Sequence, residues 1–351
     1  MKDLVFDIIL ALGTSFTLTY FSIPKIIHFS RKSRLYASVG NRNSHVGEIP
    51  IFGGIAIFSG VLFSLIFWAE LESLQFILVS LIIVFFIGIL DDLLSLPPFK
   101  KLIGQILSIL VIMFLAELQI NSFKGLFNIY EIPEWTSLIF TIFVVVVITN
   151  AYNLIDGIDG LAGGLGTIAS VFFGIAFLLN NDIQMTILSF TLVGSLLAFL
   201  KFNFNPARIF MGDTGSLVIG LIISVLAIKL INDGIEIPND KTYKNKGPFI
   251  VIAILSVPLY DTFRVFCLRL LSGYHPLRPD RNHIHHALLD LGCSHKKATI
   301  ILYIFSIVNI IISYFMIKLS LGLSIFLLSI FVLGLMAIPF VLLELKKNKS
   351  V

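Results

Sequence analysis

Cysteine and charged residues are scarce in this chain of 351 residues, and each scarcity excludes a class of protein. Charged residues make up only 13% of the sequence, whereas hydrophobic residues make up 57%. A soluble domain of this length could not bury that much apolar surface. The only two cysteines, Cys267 and Cys293, fit neither a disulfide framework nor a zinc site. The composition therefore excludes an ordinary soluble domain and a disulfide-stabilised one.

Long polar segments are also absent, so no soluble domain, repeat or low-complexity segment is expected. Hydrophobic stretches of about 20 residues recur along the whole chain, which is typical of polytopic helical membrane proteins. The first stretch is too long for a signal-peptide core and lacks a small-residue cleavage site. We predict one all-α membrane domain over residues 1–351, with eleven transmembrane helices at residues 4–27, 49–68, 74–90, 102–117, 136–152, 161–179, 183–201, 214–232, 248–271, 298–318 and 321–343.

Basic residues predict the orientation of these helices. Loops on one side hold 18 of the 25 Lys and Arg residues when Lys25 is included, and the other side holds the remaining seven. By the positive-inside rule the richer side is cytoplasmic, which places the N-terminus outside and the C-terminus in the cytoplasm. Seven aspartates fall on the same cytoplasmic side: Asp91, Asp92, Asp156, Asp159, Asp213, Asp261 and Asp280.

Residues 150–164 form the most informative polar stretch, between two apolar runs. They contain Asp156, Asp159, two asparagines (Asn150 and Asn153) and four glycines. Carboxylates are costly at membrane depth, and glycines allow a sharp turn and the close approach of a bulky anion. Hard oxygen ligands in such a turn suit Mg²⁺ and a phosphate substrate. The alternative is a polar turn between two membrane helices.

A second stretch, residues 88–92, ends in Asp91 and Asp92 and is followed by Lys100 and Lys101. Adjacent carboxylates at a helix C-terminus repel each other and also meet the negative end of the helix dipole. Mg²⁺, Lys100 or Lys101 could offset this charge. A like-charge neighbour raises the pKa of one carboxyl group, which suits a general base. The alternative is a solvated acidic loop.

A third stretch, residues 203–216, places Asp213 at the start of a span. Free backbone N–H groups there could bind phosphate oxygens. Asp213 and Thr214 could equally form only a helix cap.

A fourth stretch, residues 49–54, lies upstream and is interpreted as a helix that begins at a proline and packs through its glycines. The basic residues before them could instead form an electropositive rim for anionic head groups: Arg31, Arg34, Arg42 and His45.

A fifth stretch, residues 273–286, concentrates hydrogen-bond donors. Zinc binding is disfavoured because no cysteine or HExxH helix accompanies the histidines. Phosphate and sugar recognition is favoured, with arginine as a bidentate clamp; a surface cluster without a role is the alternative. The residues expected to bind the phosphate and sugar of a substrate, called here the donor-binding residues, are Arg278, Arg281, His283, His285 and His286.

From about His45 to Gly292 the five stretches, in their order along the chain, resemble the polyprenyl-phosphate N-acetylhexosamine-1-phosphate transferase family (glycosyltransferase family 4). The segments NLIDGIDGL (153–161) and FMGDTGS (210–216) are specific for that family. The segment RPDRNHIHH (278–286) is similar to the branch with UDP-N-acetylglucosamine-type donors, which primes O-antigen, enterobacterial common antigen or teichoic acid. The branch that handles UDP-MurNAc-pentapeptide carries three consecutive histidines, which this chain lacks.

The resemblance implies ten or eleven helices, a cytoplasmic active site, Mg²⁺ or Mn²⁺, and undecaprenyl phosphate as acceptor. The family's metal ligands fall on Asn153 and Asp213. One departure is Ile51, where the family usually has Arg or Thr, which leaves Arg42 or His45 to supply a basic contact. The essential carboxylates implied by the resemblance are Asp91, Asp92, Asp156 and Asp159.

The sequence thus predicts an enzyme of the bacterial inner membrane that moves N-acetylhexosamine-1-phosphate, with GlcNAc-1-phosphate favoured, from a UDP-sugar to undecaprenyl phosphate and releases UMP. This would be the first membrane step of a cell-envelope polysaccharide. Its partners would be the two substrates and the lipid bilayer, with no nucleic acid; a homodimer is left open. The rivals are a peptidoglycan phosphotransferase, a membrane phosphatase and a transporter, which should show mid-membrane charges and matched broken helices.

Overall fold

The computed structural model describes residues 2–33, 49–237, 241–273 and 282–348. Over these ranges the chain is helical and has no named strand, apart from an isolated bridge between Leu126 and Ile129. The helices are α1 (Lys2–Lys32), α2 (Gly53–Trp68), α3 (Leu71–Leu94), α4 (Pro98–Phe114), α5 (Glu134–Ile155), α6 (Leu161–Leu179), α7 (Ile183–Asn203), α8 (Gly212–Asp233), α9 (Gly247–Ile254), α10 (Ser256–Leu271), α11 (Ile284–Asp290), α12 (His295–Met316) and α13 (Leu321–Asn348), with a 3₁₀ helix at Lys241–Lys246.

Eight helices in the described ranges are long and apolar enough to cross a membrane: α1, α3, α5, α6, α7, α8, α12 and α13. The pair α9 and α10, bent by 69°, gives a ninth if it forms one span. Helices α2 and α4 have 16 and 17 residues. Each of the eleven predicted stretches is helical, and the all-α polytopic fold is confirmed. The count of eleven spans stays a prediction.

Helix α8 is the centre of the structure, because 94% of its 18-residue apolar segment is buried inside the protein. It packs against α2, α3, α5 and α6. Small residues allow this close approach: a Cβ atom at Gly54 would collide with the backbone of Gly215, and one at Gly88 with the backbone of Thr214. Helices packed through small residues are typical of membrane proteins. The first turn of α8 is therefore fixed against α2 and α3.

Polar residues gather at the two ends of this bundle. One end holds the C-termini of α3 and α5 and the N-termini of α4 and α8, and it contains the predicted site. The opposite end holds the start of α7 and the end of α8, where Lys229 lies 3.1 Å from Asp233 and Lys244 lies 2.8 Å from Glu236. The prediction that the aspartates fall on one side of the membrane agrees with this arrangement of the described residues.

Candidate active site

Asp213, in the first turn of α8, contacts side chains of two other helices, α4 and α5. Its Oδ1 atom accepts hydrogen bonds from Lys101 of α4 and from the side-chain amide of Asn153 of α5. The same amide donates to Ser216 Oγ at 2.9 Å. The structure thus brings together Asn153 and Asp213, which the family resemblance named as metal ligands, although 60 positions separate them in the chain.

Lys101 bridges two carboxylates of the site. Its Nζ atom lies 2.9 Å from Asp91 Oδ2 and also binds Asp213. Asp91 is buried, whereas the neighbouring Lys100 is exposed and has no ion pair among the described residues. Of the two lysines that the sequence could not distinguish, the structure therefore brings Lys101 into the site. Any substrate contact of Lys100 stays a prediction.

Asp92 caps the N-terminus of α8 from the neighbouring helix α3. Its carboxylate accepts hydrogen bonds from the backbone N–H of Asp213 at 2.7 Å, from that of Thr214 at 3.0 Å, and from Thr214 Oγ1 at 2.5 Å. An anion is favoured at this position by the helix dipole. The N–H groups of residues 213 and 214, expected to be free for phosphate, are therefore already occupied. Asp92 holds Asp213 in place.

Asp156 follows the last turn of α5 and differs from the other carboxylates of the site. Its side chain is half-buried and has no hydrogen bond or ion pair among the described residues. Burial raises the pKa of Asp156 well above its ordinary value, and the neighbouring carboxylates of Asp213, Asp92 and Asp159 raise it further. A cation in the site would relieve this repulsion.

Asp159 is 3% exposed and connects the 156–160 turn to the segment before α8. It accepts hydrogen bonds from Asn205 Nδ2 at 2.8 Å and from the backbone N–H of Ala207 at 3.1 Å. The Nδ1 atom of His295 lies 3.5 Å from its Oδ1. Burial alone would raise the pKa of Asp159, but the bonds from His295, Asn205 and Ala207 outweigh burial and lower it. These contacts make Asp159 a residue that fixes the turn.

Helix α12 supports the same turn from its other side. Thr299 Oγ1 donates to the carbonyl of Asp159 at 2.9 Å, and the hydroxyl of Tyr303 donates to the carbonyl of Gly160. The backbone N–H of Gly160 donates to Asn203 Oδ1 at 2.9 Å. The glycine-rich turn is therefore held on three sides, by α7, α12 and the segment between α7 and α8.

The described part of the His/Arg segment places His285 directly against this turn. The imidazole of His285 is 1% exposed and packs on Gly157, so closely that a Cβ atom there would collide with Nε2. Both ring nitrogens lack a hydrogen-bond partner within the described ranges. Burial lowers the pKa of His285 to about 3. The ring is therefore neutral at neutral pH and offers one donor and one acceptor.

The other predicted donor-binding residues divide into two groups. The ring of His286 lies 4.2 Å from that of His285, and the His283 ring is stacked on His285 at 5.7 Å. Substrate contacts of these histidines stay predictions. The remaining residues lie outside the described ranges: His45, Arg278 and Arg281, together with Arg34, Arg42 and Asp280.

The donor set of the site suits a hard divalent cation. Asn153, Asp156 and Asp213 provide only oxygen ligands, and the carboxylates of the site outnumber the positive charge that Lys101 supplies. In the ranges described, no three His, Cys, Asp or Glu side chains form a ready-made metal-binding group. Mg²⁺ is usually held by one or two carboxylates and completed by water and substrate phosphates. The residues therefore fit Mg²⁺ through Asn153 and Asp213.

Four residues of this region have roles that the sequence does not predict. Asn203 and Asn205 lie in the stretch 203–216, but the sequence does not show that they bind the 156–160 turn. Asp261 is predicted only to lie on the cytoplasmic side, whereas the structure pairs it with His283. His295 carried no signal, because it is a single histidine beyond the His/Arg segment. Their partners come from distant parts of the chain.

Comparison with known proteins supports the family resemblance that the motifs indicate. The family model for glycosyl transferase family 4 matches residues 74–231, which contain Asp91, Lys101, Asn153 and Asp213. The chain is similar to the decaprenyl-phosphate N-acetylglucosaminephosphotransferase of Mycobacterium leprae, with 31% identity over 83% of this chain and 79% of the relative.

Two further relatives extend the comparison. One is the probable undecaprenyl-phosphate N-acetylglucosaminyl 1-phosphate transferase of Bacillus subtilis, 31% identical over 83% of this chain and 80% of the relative. The other is the undecaprenyl-phosphate alpha-N-acetylglucosaminyl 1-phosphate transferase of Pasteurella multocida, 35% identical over 74% and 73%. These similarities confirm the resemblance first seen in the motifs: the chain belongs to glycosyl transferase family 4, the family of the polyprenyl-phosphate N-acetylglucosamine-1-phosphate transferases.

Proposed function

We propose that this protein transfers GlcNAc-1-phosphate from UDP-GlcNAc to undecaprenyl phosphate and releases UMP. The names of the relatives favour this donor over UDP-MurNAc-pentapeptide. The observation that carries the proposal is the joined cluster of Asp91, Lys101, Asn153 and Asp213 at one end of the membrane helices. Such a cluster suits two phosphate substrates, one of them anchored in lipid.

In the proposed reaction an oxygen of the lipid phosphate attacks the β-phosphorus of the UDP-sugar. The bond from that phosphorus to the oxygen bridging to UMP breaks, and UMP leaves with the electron pair. Phosphoryl transfer depends mainly on positioning and charge neutralisation. Lys101 would supply positive charge beside the phosphates while Asp91 holds its ammonium group. Because the attacking oxygen is already anionic, no side chain has to remove a proton.

Mg²⁺ is the proposed cofactor, and Mn²⁺ has the same preference for oxygen ligands. Asn153 and Asp213 would hold the ion, and Asp156 would lie beside it. When bound, the ion would neutralise the diphosphate of the donor. Asp92 and Asp159 would act indirectly, because Asp92 fixes Asp213 and Asp159 fixes the turn that carries Asp156.

The proposed location is the inner membrane, with the site open to the cytoplasm. The distribution of Lys and Arg supports this orientation through the positive-inside rule. Lys101, Lys296 and Lys297 all belong to the end of the bundle that carries the carboxylates. The UDP-sugar would then reach the site from the cytoplasm, while the lipid phosphate would approach from the bilayer.

A reconstituted assay tests this proposal. Purified protein with undecaprenyl phosphate and Mg²⁺ should release UMP from UDP-GlcNAc, only when both substrates are present. EDTA should stop the reaction and added Mg²⁺ should restore it. Asp213→Ala should lower the rate at least 100-fold, about the loss of one or more charged contacts to the phosphates. Asp233→Ala, at the opposite end of α8, should not.

The outcomes separate the alternatives. A transporter would release no UMP, and a phosphatase would release inorganic phosphate without any need for UDP-GlcNAc. If UDP-MurNAc-pentapeptide were used and UDP-GlcNAc refused, the donor assignment would be wrong. Near-normal activity of Asp213→Ala across Mg²⁺ concentrations would refute the metal assignment.

A further inference from the structure

A buried carboxylate outside the cluster described above connects α10 with the start of α11. Asp261 is 0% exposed, and its Oδ2 atom lies 2.8 Å from His283 Nδ1. Its Oδ1 atom accepts the backbone N–H of Ile284 at 2.9 Å and lies 3.2 Å from Nη2 of Arg264. A buried carboxylate is stable only when its oxygens are paired in this way.

Arg264 completes the connection. Its guanidinium also donates to the backbone carbonyl of Asn282 and lies over the ring of Phe340 in α13, 4.1 Å from the ring centre. The positive charge of Arg264 therefore balances the charge of Asp261. Because this balance is already present, His283 does not have to be protonated to pair with Asp261.

The contact with Asp261 fixes the tautomer of His283. An ionised carboxylate only accepts hydrogen bonds, so Nδ1 of His283 must carry the proton. The Nε2 atom, which is not engaged by Asp261, then becomes the nitrogen that can bind a ligand. Catalytic and metal-binding histidines are commonly oriented by a carboxylate in this manner.

The oriented histidine is close to the turn that carries Asp156. The rings of His283 and His285 are stacked nearly in parallel, at 5.7 Å and 10°. His285 in turn packs against Gly157. A shift of α11 would therefore be transmitted to the turn beside Asp156.

We infer that Asp261 is a positioning residue for the UDP-sugar: it holds His283 in one tautomer, with Nε2 presented to the donor, and fixes the start of α11 against the 156–160 turn. This inference rests on the proposed function, since it assumes that His283 meets the UDP-sugar. Arg264 assists by keeping Asp261 ionised. Neither residue needs to touch a substrate.

The kinetic test compares Asp261→Asn, His283→Ala and the double variant with wild type. Asn keeps the shape of the side chain but can donate to Nδ1 and favour the wrong tautomer, as in the serine-protease triad. Asp261→Asn should lower kcat/KM for UDP-GlcNAc about 10- to 100-fold. The KM for undecaprenyl phosphate should change less than about twofold. Asp290→Asn, an exposed carboxylate at the end of the same helix α11, is the matched control and should resemble wild type.

The double variant shows whether Asp261 acts through His283. If it does, Asp261→Asn should add little to the loss already caused by His283→Ala, because the residue it positions is gone. Full additivity of the two losses, or wild-type kinetics of Asp261→Asn, would overturn the inference. An equal effect on both substrates would indicate general damage to the fold and would also overturn it.

A second measurement does not depend on activity. Hydrogen–deuterium exchange of the peptide covering residues 282–290 should be faster in Asp261→Ala than in wild type, because the N–H of Ile284 loses its buried acceptor. Unchanged exchange there would refute the connection itself. Wild-type protein that releases no UMP from UDP-GlcNAc would instead refute the proposed function, while the exchange experiment would still decide whether Asp261 holds α11.

Discussion

The carboxylates of the site differ in how many hydrogen bonds they already accept. Asp92 and Asp159 each accept hydrogen bonds from distant segments, whereas Asp156 has no partner among the described residues. Asp213 is bound by Lys101 and Asn153. A saturated carboxylate is a poor base and a good structural anchor, and an open one can bind a cation or a ligand. Asp156 and Asp213 are therefore expected to bind a cation or a ligand, and Asp92 and Asp159 are expected to hold the structure of the site in place.

Asp92→Asn tests this division for the residue that caps α8. An amide cannot accept from both N–H groups and from the hydroxyl of Thr214 as the carboxylate does, so the first turn of α8 should loosen. We expect a lower melting temperature, corresponding to the loss of about 1.5–3 kcal/mol for a charged hydrogen bond, together with reduced activity. Thermal unfolding and UMP release should be measured on the same preparation. A variant with unchanged melting temperature and abolished activity would instead assign Asp92 a direct role in the reaction.

The pH dependence of stability tests the role of Asp159. Its pKa is lowered in the folded protein, so its ionised form stabilises the fold at pH values above about 4, the ordinary range of an aspartate. That contribution should disappear as the pH falls through the lowered pKa. The difference in melting temperature between wild type and Asp159→Asn should therefore be largest near pH 7 and shrink below about pH 4. A difference that stays constant from pH 7 to pH 3 would contradict the assignment.

At the residue scale the sequence predicted which side chains gather but not what each one does. Residue types and glycine-rich spacing were sufficient to select Asp91, Asp156 and Asp213. Roles depend on partners far away in the chain: Thr214 binds Asp92 across 122 positions. Local sequence cannot show that one carboxylate of an adjacent pair turns toward a helix terminus.

Helix α8 shows how packing of whole elements sets the geometry of the site. Its first turn can hold Asp213 near Lys101 only because α3 passes very close to it at Gly88. Alanine in a helix is ordinarily more stable than glycine by roughly 0.5–1 kcal/mol. At Gly88 this gain would be outweighed, because the new Cβ atom would collide with Thr214 in the backbone of α8.

Gly88→Ala is therefore expected to lower both the melting temperature and the rate of UMP release, with an effect on rate of at least tenfold, as a displacement of about 1 Å can cost 100-fold. Gly334→Ala is the matched control, because a Cβ atom placed at that position of α13 would meet no atom of a described packing neighbour within 4 Å. Unfolding curves and rates of the two variants provide the comparison. Equal behaviour of the two variants would show that the close packing of α3 and α8 does not position Asp213.

At the element scale the sequence predicted helix positions well and helix shape poorly. The stretch predicted at 136–152 is α5, Glu134–Ile155, and the stretch at 248–271 is divided into α9 and α10 at Leu255. Pro258 cannot donate a hydrogen bond to the carbonyl of residue 254, which favours a break there. A proline alone did not predict it, because α1 and α13 continue through Pro24 and Pro339. The short helix α11 was missed because a run of seven residues is too brief for a periodicity signal.

The whole molecule separates its polar residues between two ends, which makes its orientation testable. In a background with Cys267 and Cys293 replaced by serine, Lys100→Cys and Lys296→Cys should react with a membrane-impermeant thiol reagent only from the cytoplasmic side. Lys244→Cys should react only from outside. All three positions are exposed. Labelling of positions 100 and 244 from the same side would contradict the orientation and the predicted arrangement of the spans.

The central claim is that the phosphate nearest the sugar travels with it to the lipid. UDP-GlcNAc carrying ³²P only in its β-phosphate, incubated with purified protein and undecaprenyl phosphate, tests this claim most directly. Label should appear in a lipid-soluble diphosphate product, and the UMP released should be unlabelled. Labelled UDP would show transfer of the sugar alone, and labelled water-soluble GlcNAc-1-phosphate would show hydrolysis. Either result would contradict the account.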